Sequence, residues 1–409
     1  MVVTGSELVR GDRNDLNGPF LARSLLALGV EAAEIRIVGD GRDDVEAAIR
    51  AGLGYDLVVV SGGLGPTHDD ITVEMVARAT GRELVHDVAL HRQIEQRSRV
   101  AAGRLGRPYS EFEPGVTKQA TVPEGATVVG LSGTAPALIV ECGACMVVTL
   151  PGPPRELQAL WPAVLEVPDI RVILDRAHPA PRHVLRFYGV PESSVAAAIA
   201  AAGGEGADVT ICARDFEIHV DIFEGDAGPR HAARLAHAIA QALPDYLYAT
   251  TESTVEELVL ASCAARGIRL ATAESCTGGL IAERLTAIPG ASEVFVGGVV
   301  AYADDVKAGI LGVPADVLRT HGAVSAETAL AMAHGARARL GVEVAVAVTG
   351  IAGPGGATDG KPVGLVFLHA VGPRGDRSAV LDVPGDRETI RRRAATAALH
   401  LCRTLVTES

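Results

Sequence analysis

The sequence predicts an α/β protein with a three-layer N-terminal domain, a small α+β middle module and a C-terminal α/β domain. Apolar runs with strand character alternate with amphipathic helical stretches in the first and last thirds, which is typical of sheets covered by helices. Glycine-rich loops follow several of these runs. The 409 residues, 48% of them hydrophobic, suffice for two or three domains with large cores. We place the domains at residues 1–165, 166–250 and 252–409.

The N-terminal domain begins with a repeated strand and helix pattern. We predict helices at 20–28 and 43–51 and strands at 35–38 and 56–61, the last of them fully buried. Such alternation predicts a parallel sheet with helices on both faces. Ligands of such sheets bind beyond the carboxyl ends of the strands.

The loop after residue 60 is the first candidate site. Gly62, Gly63 and Gly65 can expose backbone N–H groups to a phosphate. Asp69 and Asp70 are candidate ligands for a divalent metal that bridges phosphate oxygens. Capping of the following helix by Asp70 is the alternative, but it does not explain the three glycines and two acids together.

A second loop, Leu150-Pro151-Gly152-Pro153-Pro154-Arg155-Glu156-Leu157, ends one predicted strand and starts a helix. Its prolines are at positions that a first helical turn tolerates. It is interpreted either as a rigid connection or, with Gly152, as a second wall of the same pocket.

The C-terminal domain contains a serine at a predicted strand-to-helix turn. Residues 267–270 are predicted to form the strand and residues 280–285 the helix, with Ser275 between them. Free N–H groups at the start of that helix would be able to hold an oxyanion. The serine still requires a base.

Lys307 is the candidate base because lysine is rare in this chain. Of the 37 Lys and Arg residues, three are Lys: Lys118, Lys307 and Lys361. An amine can lose its proton, whereas a guanidinium practically cannot, so a buried lysine beside Ser275 would be able to accept the serine proton. A solvated lysine on a helix face is the alternative.

Charge and cysteine content limit the classes of function. A net charge of −13 argues against a general binder of nucleic acid or anionic membranes. No apolar run has the length of a membrane span, and no signal peptide is recognised, so we expect a cytoplasmic protein. The six scattered cysteines form no disulfide pattern. Cys142-Gly143-Ala144-Cys145 lies between two apolar runs, which predicts a hairpin turn and not a zinc site.

The N-terminal motifs resemble those of the competence-damage-inducible protein (CinA) family. The resemblance rests on Thr4-Gly5-Ser6-Glu7-Leu8 with Asn17 further on, Gly62-Gly63-Leu64-Gly65-Pro66-Thr67-x-Asp69-Asp70 and Leu150-Pro151-Gly152-Pro153-Pro154-x-Glu156-Leu157. It implies a fold similar to molybdopterin-binding domains and a metal-dependent ADP-ribose pyrophosphatase activity. The metal role falls on Asp69 and Asp70, and the phosphate-binding role falls on Gly62, Gly63, Gly65, Thr67, Lys118 and Gly152. The family's Asn-Arg-Lys-Gln run appears here as Val116-Thr117-Lys118-Gln119.

The middle module resembles the degenerate KH-like module of the same family. Its Gly203-Gly204-Glu205-Gly206 matches a KH loop in form, but the loop is acidic and precedes a strand. A phosphate backbone would be repelled there, so we expect a spacer or dimerisation module and no nucleic-acid partner. The family context implies a homodimer.

The C-terminal motifs resemble the nicotinamide mononucleotide deamidase domain of the family. They are Ala-Glu-Ser-Cys-Thr-Gly-Gly, Tyr-x-x-x-x-Lys, His-Gly-Ala-Val-Ser, Thr-Gly-Ile-Ala-Gly-Pro, Lys-Pro-Val-Gly and Gly-Asp-Arg, in that order. The resemblance implies a Ser/Lys amidohydrolase that needs no cofactor and acts in pyridine nucleotide recycling.

The site residues expected on this basis form two groups. The catalytic group is Ser275, Lys307 and Tyr302, with packing as the alternative role for the tyrosine. The substrate-binding group is Cys276, Thr277, Gly278, Thr349, Gly350, Gly353 and Arg387. Asp304 and Asp305 stand where relatives commonly have Asn, and their negative charge would weaken Lys307 as a base.

Two rival functions remain open. One is pyrophosphatase as the main activity. The other is a non-catalytic scaffold in competence or DNA damage, against which the intact Ser275 and Lys307 pair argues.

Overall fold

The computed structural model describes residues 1–177, 182–224 and 228–407. The chain divides into two compact units, Met1–Ala180 and Pro181–Ser409. None of the helices in the described part of the chain is long and apolar enough to cross a bilayer.

The first unit is built on a six-stranded sheet of order β2-β1-β3-β8-β7-β6, with a separate β4-β5 pair. Its strands are β1 (Val2–Thr4), β2 (Arg36–Val38), β3 (Leu57–Ser61), β4 (Leu84–His86), β5 (Thr121–Pro123), β6 (Thr127–Leu131), β7 (Pro136–Cys142) and β8 (Cys145–Leu150). Its helices are α1 (Ser6–Val9), α2 (Asn17–Leu26), α3 (Arg42–Gly52), α4 (Thr72–Thr80), α5 (Val88–Leu105), α6 (Glu113–Gln119), α7 (Pro154–Leu165) and α8 (Pro168–Leu174).

The predicted parallel sheet is confirmed for four strands. β2, β1, β3 and β8 run parallel to one another. Alternate side chains of β3 face opposite cores: Val59 packs with α2 and α7, and Val58 and Val60 pack with α3 and α4. A strand buried on both faces must be apolar throughout, as this one is. The three-layer prediction therefore holds, and β7 and β6 extend the sheet in antiparallel fashion.

The Cys142-Gly143-Ala144-Cys145 segment forms the turn between β7 and β8, as predicted. Cys142 pairs with Cys145 in the ladder, and Gly143 has a φ of 62°. Both thiols are free. Burial raises the pKa of Cys145 to about 11, so this thiol is inert.

The second unit contains two sheets. The middle module has β9 (Arg182–Tyr188), α9 (Glu192–Ala201), β10 (Val209–Arg214), β11 (Glu217–Phe223), α10 (Pro229–Ala242) and β12 (Leu247–Ala249). Its antiparallel sheet has the order β10-β11-β9-β12 and packs against both helices. The remaining elements are α11 (Val255–Arg266), β13 (Leu270–Glu274), α12 (Leu280–Thr286), β14 (Phe295–Val300), α13 (Asp304–Gly309), α14 (Ala315–His321), α15 (Ala326–Leu340), β15 (Val344–Gly350), β16 (Leu365–Gly372), β17 (Gly375–Asp382) and α16 (Arg387–Thr407).

The last sheet has the order β14-β13-β15-β16-β17, in which the first three strands are parallel and the last two antiparallel. One face packs against α11, α12 and α16, and the other packs against α15. The sheet therefore has a layer of helices on each face.

The predicted strand at 267–270 is wrong in position. Gly267 is the left-handed C-cap of α11, with φ 62°. The N–H of Ile268 donates to the carbonyl of Cys263, so this segment ends a helix. The strand begins at Leu270 and continues to Glu274, directly before Ser275. The turn predicted around Ser275 is confirmed.

A buried carboxylate joins the middle sheet to α16. Glu217 lies on β11, and its carboxylate is 2.7 Å from Nε2 of His400 and 3.2 Å from Nε2 of His219. The His400 ring stacks on Tyr188 at 3.8 Å. Burial raises the pKa of Glu217, but the histidine hydrogen bonds outweigh it and lower that pKa to about 2.

This pKa predicts an acid sensitivity of the second unit. The pKa of Glu217 in the folded chain is below its ordinary value of 4.5. The ionised Glu217 therefore stabilises the fold fully above about pH 4.5, and this stabilisation is lost as the pH falls toward about 2. Glu217→Gln removes this titration. The urea midpoints of wild type and variant should therefore converge as pH falls from about 5 to about 3. A difference that stays constant over this range would contradict the assignment.

Candidate active site

Three neighbouring parallel strands place their carboxyl ends at one edge of the last sheet. Ser275 follows β13, Tyr302 follows β14 and Thr349 lies at the end of β15. The N–H of Ser275 donates to the backbone carbonyl of Val348 at 2.9 Å, and the N–H of Ala301 donates to the backbone carbonyl of Glu274 at 2.8 Å. These bonds hold the strand ends in register. Ligands of open α/β sheets bind just beyond the carboxyl ends of the strands, as at this edge.

A cavity of about 280 Å³ opens at this edge. The sequence-predicted residues that line it are Ser275, Cys276, Tyr302, Lys307, Thr349, Gly350, Gly353 and Arg387. Thr277 and Gly278, also predicted, do not line it.

Ser275 is 8% exposed and lies in a tight turn. The N–H of Gly278 donates to its carbonyl at 3.1 Å. Gly278 and Gly279 have φ values of 62° and 96°, which other residues rarely adopt. Within residues 1–177, 182–224 and 228–407 the serine hydroxyl has no hydrogen-bond partner, so it is available to a ligand.

The N-terminus of α12 is occupied by Glu274. This carboxylate is 1% exposed and accepts hydrogen bonds from the N–H groups of Gly279 (3.0 Å), Ile281 (3.0 Å) and Ala282 (2.8 Å). The expectation that the free N–H groups of this helix hold an oxyanion is therefore wrong for these donors. The N–H groups of Cys276 and Thr277, which precede the helix, face the Cys276 sulfur, a weak acceptor, and have no acceptor oxygen in the described part of the chain.

Cys276 contributes only its backbone to the site. Its side chain lies in the hydrophobic core, and burial raises the pKa of the thiol to about 12. A thiol that stays protonated is a poor nucleophile. Ser275 is therefore the nucleophile candidate of this turn.

Arg391 supports the same turn from α16. Its Nη2 and Nε donate to the carbonyl of Thr277 at 2.7 and 3.3 Å. Arg391 was given no role from the sequence. An arginine on the inward face of a helix that is otherwise apolar there was the available signal.

Lys307 is 1% exposed and points into the cavity. Its Nζ donates to the carbonyl of Tyr302 at 3.3 Å and lies 3.5 Å from Oδ1 of Asp304. The alternative of a solvated surface lysine is thus inconsistent with its burial. Asp304 is the acid that approaches the amine, whereas the side chain of Asp305 makes no hydrogen bond among the described residues.

Arg387 links two walls of the cavity. Its Nη1 donates to the carbonyl of Gly353 at 2.8 Å, and its Nη2 donates to the Tyr302 hydroxyl at 2.7 Å. Tyr302 is 58% exposed, so it is not a core packing residue. The Thr349 hydroxyl donates to the carbonyl of Ala323 at 2.7 Å and fixes the third wall.

The first unit has a larger cavity, of about 670 Å³, at the carboxyl ends of β1, β3 and β8. The sequence-predicted residues that line it are Gly62, Gly63, Gly65, Asp69, Asp70 and Gly152. The other two predicted residues, Thr67 and Lys118, do not line this cavity. Lys118 lines a neighbouring cavity of about 290 Å³, and its Nζ donates to the carbonyl of Thr67.

Asn17 connects the two loops of this larger cavity. Its Nδ2 donates to the Ser61 hydroxyl at 2.9 Å and to the Gly152 carbonyl at 2.7 Å. Gly62 must be glycine because its φ is 102° and a Cβ would lie 2.6 Å from the carbonyl oxygen of Thr4. The second loop is therefore a wall of the same cavity, and Asn17 is the residue that holds the walls together.

The acidic pair in this cavity fits a hard divalent cation. The Thr67 hydroxyl lies 2.5 Å from both Oδ1 of Asp69 and Oδ2 of Asp70. A hydroxyl has one proton, so only one of these contacts is a hydrogen bond. Oδ2 of Asp70 also accepts from the N–H of Thr67 at 2.8 Å, and the charge of Lys118 acts on Asp69, but the two carboxylates keep lone pairs that a cation could use. The Thr67 hydrogen bond lowers the pKa of Asp69. Carboxylate oxygens are the ligands that Mg²⁺ and Mn²⁺ prefer.

Comparison with known proteins connects both units to described families. Residues 252–406 match the CinA C-terminal domain, and residues 1–171 match the probable molybdopterin binding domain. A CinA-like protein of Mycobacterium avium is 44% identical over 430 aligned positions, covering 100% of this chain and 98% of that protein. A CinA-like protein of Mycobacterium tuberculosis is 41% identical, covering 98% of this chain and 96% of that protein.

Among solved structures, the competence/damage inducible protein CihA from Agrobacterium tumefaciens is 42% identical. The match covers 39% of this chain and 98% of that chain, with a TM-score of 0.36. The full-length agreement with the mycobacterial relatives shows that this chain belongs to the CinA-like protein family.

Proposed function

We propose that the second unit hydrolyses the carboxamide of nicotinamide mononucleotide to nicotinate mononucleotide and ammonia. The observation that carries this proposal is the convergence of Ser275 and the buried Lys307 on one cavity. A serine and a buried amine in one cavity supply a nucleophile and a base, which is one of the combinations that carry out nucleophilic amide hydrolysis.

In the acylation step, the Ser275 hydroxyl oxygen bonds to the carboxamide carbon while its proton passes to the side-chain nitrogen of Lys307, which acts as the general base. The carbonyl oxygen becomes an oxyanion. The N–H groups of Cys276 and Thr277 follow the nucleophile directly in the chain, and their acceptor among the described residues is the weakly accepting sulfur of Cys276. An oxyanion is a stronger acceptor, so they are the candidate oxyanion donors. Lys307 then returns the proton to the amide nitrogen, the carbon–nitrogen bond breaks, and ammonia leaves.

Deacylation reverses these roles with water as the nucleophile. Lys307 accepts a proton from water, whose oxygen bonds to the acyl carbon, and the ester bond to Ser275 breaks. The proton returns to the serine oxygen, and the acid is released. No metal takes part in either half of this sequence.

Arg387 is the proposed partner of the substrate phosphate. Its guanidinium already donates to Gly353 and Tyr302 at the rim of the cavity, and guanidinium groups bind phosphate with charge-assisted hydrogen bonds. Thr349 and the loop containing Gly350 and Gly353 would line the nucleotide side. Tyr302 would position Arg387 because its hydroxyl accepts from that residue and not from Lys307.

The test is ammonia release from nicotinamide mononucleotide by the full chain, with and without a metal chelator. We expect release that the chelator does not reduce and that Ser275→Ala abolishes. A wild-type chain that is folded and releases no ammonia would contradict the proposal. That outcome would favour a non-catalytic role.

We propose a second activity for the first unit, the hydrolysis of the pyrophosphate of ADP-ribose. The supporting observation is the cavity in which the Gly62–Gly65 loop faces Asp69 and Asp70. Asp69 and Asp70 would hold a divalent metal, which supplies charge neutralisation of the phosphate oxygens when bound. Backbone N–H groups of the glycines would orient the phosphates, and Asn17 would keep both loops in place.

Asp69→Asn is expected to lower metal-dependent ADP-ribose hydrolysis by at least tenfold and to raise the Mn²⁺ concentration needed for half activity. Asp43→Asn, an exposed acid on α3 outside the cavity, is the matched control and should behave as wild type. Equal metal dependence of the two variants would contradict the metal role. Because ammonia release is assigned to the other unit, it should be unchanged in both variants.

A further inference from the structure

A cluster of two histidines and one aspartate lies on the last sheet, outside the cavity that contains Ser275. His334 is on α15, His369 is on β16 and Asp376 is on β17. Their side-chain ligand atoms all lie within 4.8 Å of one another. None of the three lines either cavity described above.

The hairpin register brings His369 and Asp376 to the same face. Val371 pairs with Asp376, and His369 pairs with Ser378 two positions further along. Side chains two positions apart in a strand share a face, so His369 and Asp376 are diagonal neighbours. Val371 on this face is buried in the core under α15, which identifies it as the face that the helix covers.

Helix α15 supplies the third side chain. Ala333 and Ala336 of this helix are buried in the same core. His334, next to Ala333, lies at the margin of the contact and is half exposed. The cluster is therefore held by three elements with fixed mutual positions, and it remains open to solvent on one side.

The distances within the cluster are those of a metal-ligand set. Nε2 of His334 and Nε2 of His369 lie 3.1 and 3.2 Å from the same oxygen, Oδ2 of Asp376. Tetrahedral Zn²⁺ with bonds of about 2.0–2.1 Å has ligand atoms about 3.3 Å apart along each edge. Two edges of such a tetrahedron are thus close to their ideal length. The third edge, between the two histidine nitrogens, is at most 4.8 Å long, so a zinc ion would require adjustment chiefly along that edge.

We propose that His334, His369 and Asp376 form a binding site for a divalent transition-metal ion of the Zn²⁺ class. Two imidazole nitrogens and one carboxylate oxygen are ligands that Zn²⁺ commonly takes in proteins. A water molecule would complete the tetrahedron from the exposed side. The ion would tie α15 to the β16–β17 hairpin, and its role would be structural because the cluster is outside the Ser275 cavity.

The experiment uses the full chain after removal of metal with a chelator and dialysis. Zn²⁺ binding is measured by calorimetry, and Co²⁺ is used as a spectroscopic probe of tetrahedral coordination. We expect one Zn²⁺ per chain at this site, visible d–d bands with Co²⁺, and a higher melting temperature with Zn²⁺. His334→Gln and Asp376→Asn should weaken this binding by at least about 10–100-fold and remove the Co²⁺ bands.

His321→Gln is the matched control. His321 is an exposed histidine beside one carboxylate, with its Nδ1 3.4 Å from Glu327, and a pair of this kind lacks the third ligand. Its replacement should leave the Zn²⁺ affinity unchanged. His334 is half exposed, so His334→Gln should fold, which circular dichroism verifies. If wild type, His334→Gln and Asp376→Asn bind Zn²⁺ with equal stoichiometry and affinity, the proposed site does not exist.

Discussion

Replacing Lys307 by arginine is expected to lower kcat for ammonia release from nicotinamide mononucleotide by about 10²–10⁴-fold, the contribution of a positioned general base. Arginine keeps the positive charge but cannot give up its proton at neutral pH. The fall in kcat would therefore measure the loss of proton transfer by Lys307, because the positive charge is kept. KM should change much less than kcat, because the change removes an interaction of the transition state.

The matched control for this prediction is Lys361→Arg. Lys361 donates to the carbonyl of His321, a bond that arginine can also make, and it does not line the Ser275 cavity. Lys307→Met is a second variant that fits the buried position without a charge, and it should be equally inactive. Urea midpoints establish whether the variants fold. Wild-type kcat in a folded Lys307→Arg protein would eliminate Lys307 as the base.

The gross fold was predictable because hydrophobic patterning decides it. Residues 57–60 form an uninterrupted apolar run, which is typical of a strand buried on both faces, and β3 is such a strand. A serine directly before an amphipathic stretch is a typical helix start, and the Ser325 hydroxyl, directly before α15, does accept from the N–H of Thr328. Local patterns of this kind need no knowledge of distant partners.

Elements without such a pattern were missed. Strand β17 carries mostly exposed side chains, so it has no apolar periodicity to distinguish it from a loop. It is held by its ladder with β16, which is a tertiary contact. Helix α14 is short and has no buried residue. The Asp376 ligand of the proposed metal site lies on β17, so the cluster was not visible from sequence spacing.

The residues of the Ser275 cavity were largely predictable, but their supports were not. Glycine-rich loops and the rare lysine indicated Ser275, Lys307 and Gly353, because each has an unusual composition or an unusual neighbour. Asn17 and Arg391 act through bonds to residues more than 100 positions away. Only the folded chain brings such partners together, and a polar residue within an amphipathic helix gives no sign of its partner.

Glu274 is the support whose removal should have the largest effect on stability. The carboxylate presents both oxygens to backbone donors: Oε2 accepts from Gly279 and Ile281, and Oε1 accepts from Ala282. Oε1 also lies 3.3 Å from the Thr272 hydroxyl. The negative charge faces the positive end of the α12 dipole. Helix α12 begins five residues after Ser275, so its position fixes the nucleophile's turn.

Glu274→Gln should therefore destabilise the second unit and slow the reaction together. A glutamine has one accepting oxygen, and its amide group would meet backbone N–H donors at the other position. Each donor left without an acceptor in a buried site costs about 1–3 kcal/mol. We expect a lower urea midpoint, followed by circular dichroism, and a kcat at least tenfold below wild type with little change in KM.

Glu283→Gln on the same helix is the control for Glu274→Gln. Glu283 is exposed and its side chain makes no hydrogen bond among the described residues, so this variant loses the same charge without losing an internal acceptor. It should match wild type in both measurements. Equal behaviour of the two variants would mean that general charge near α12, and not the three backbone bonds of Glu274, sets the position of Ser275. A Glu274→Gln protein that keeps wild-type kcat despite a lower midpoint would restrict this residue to stability.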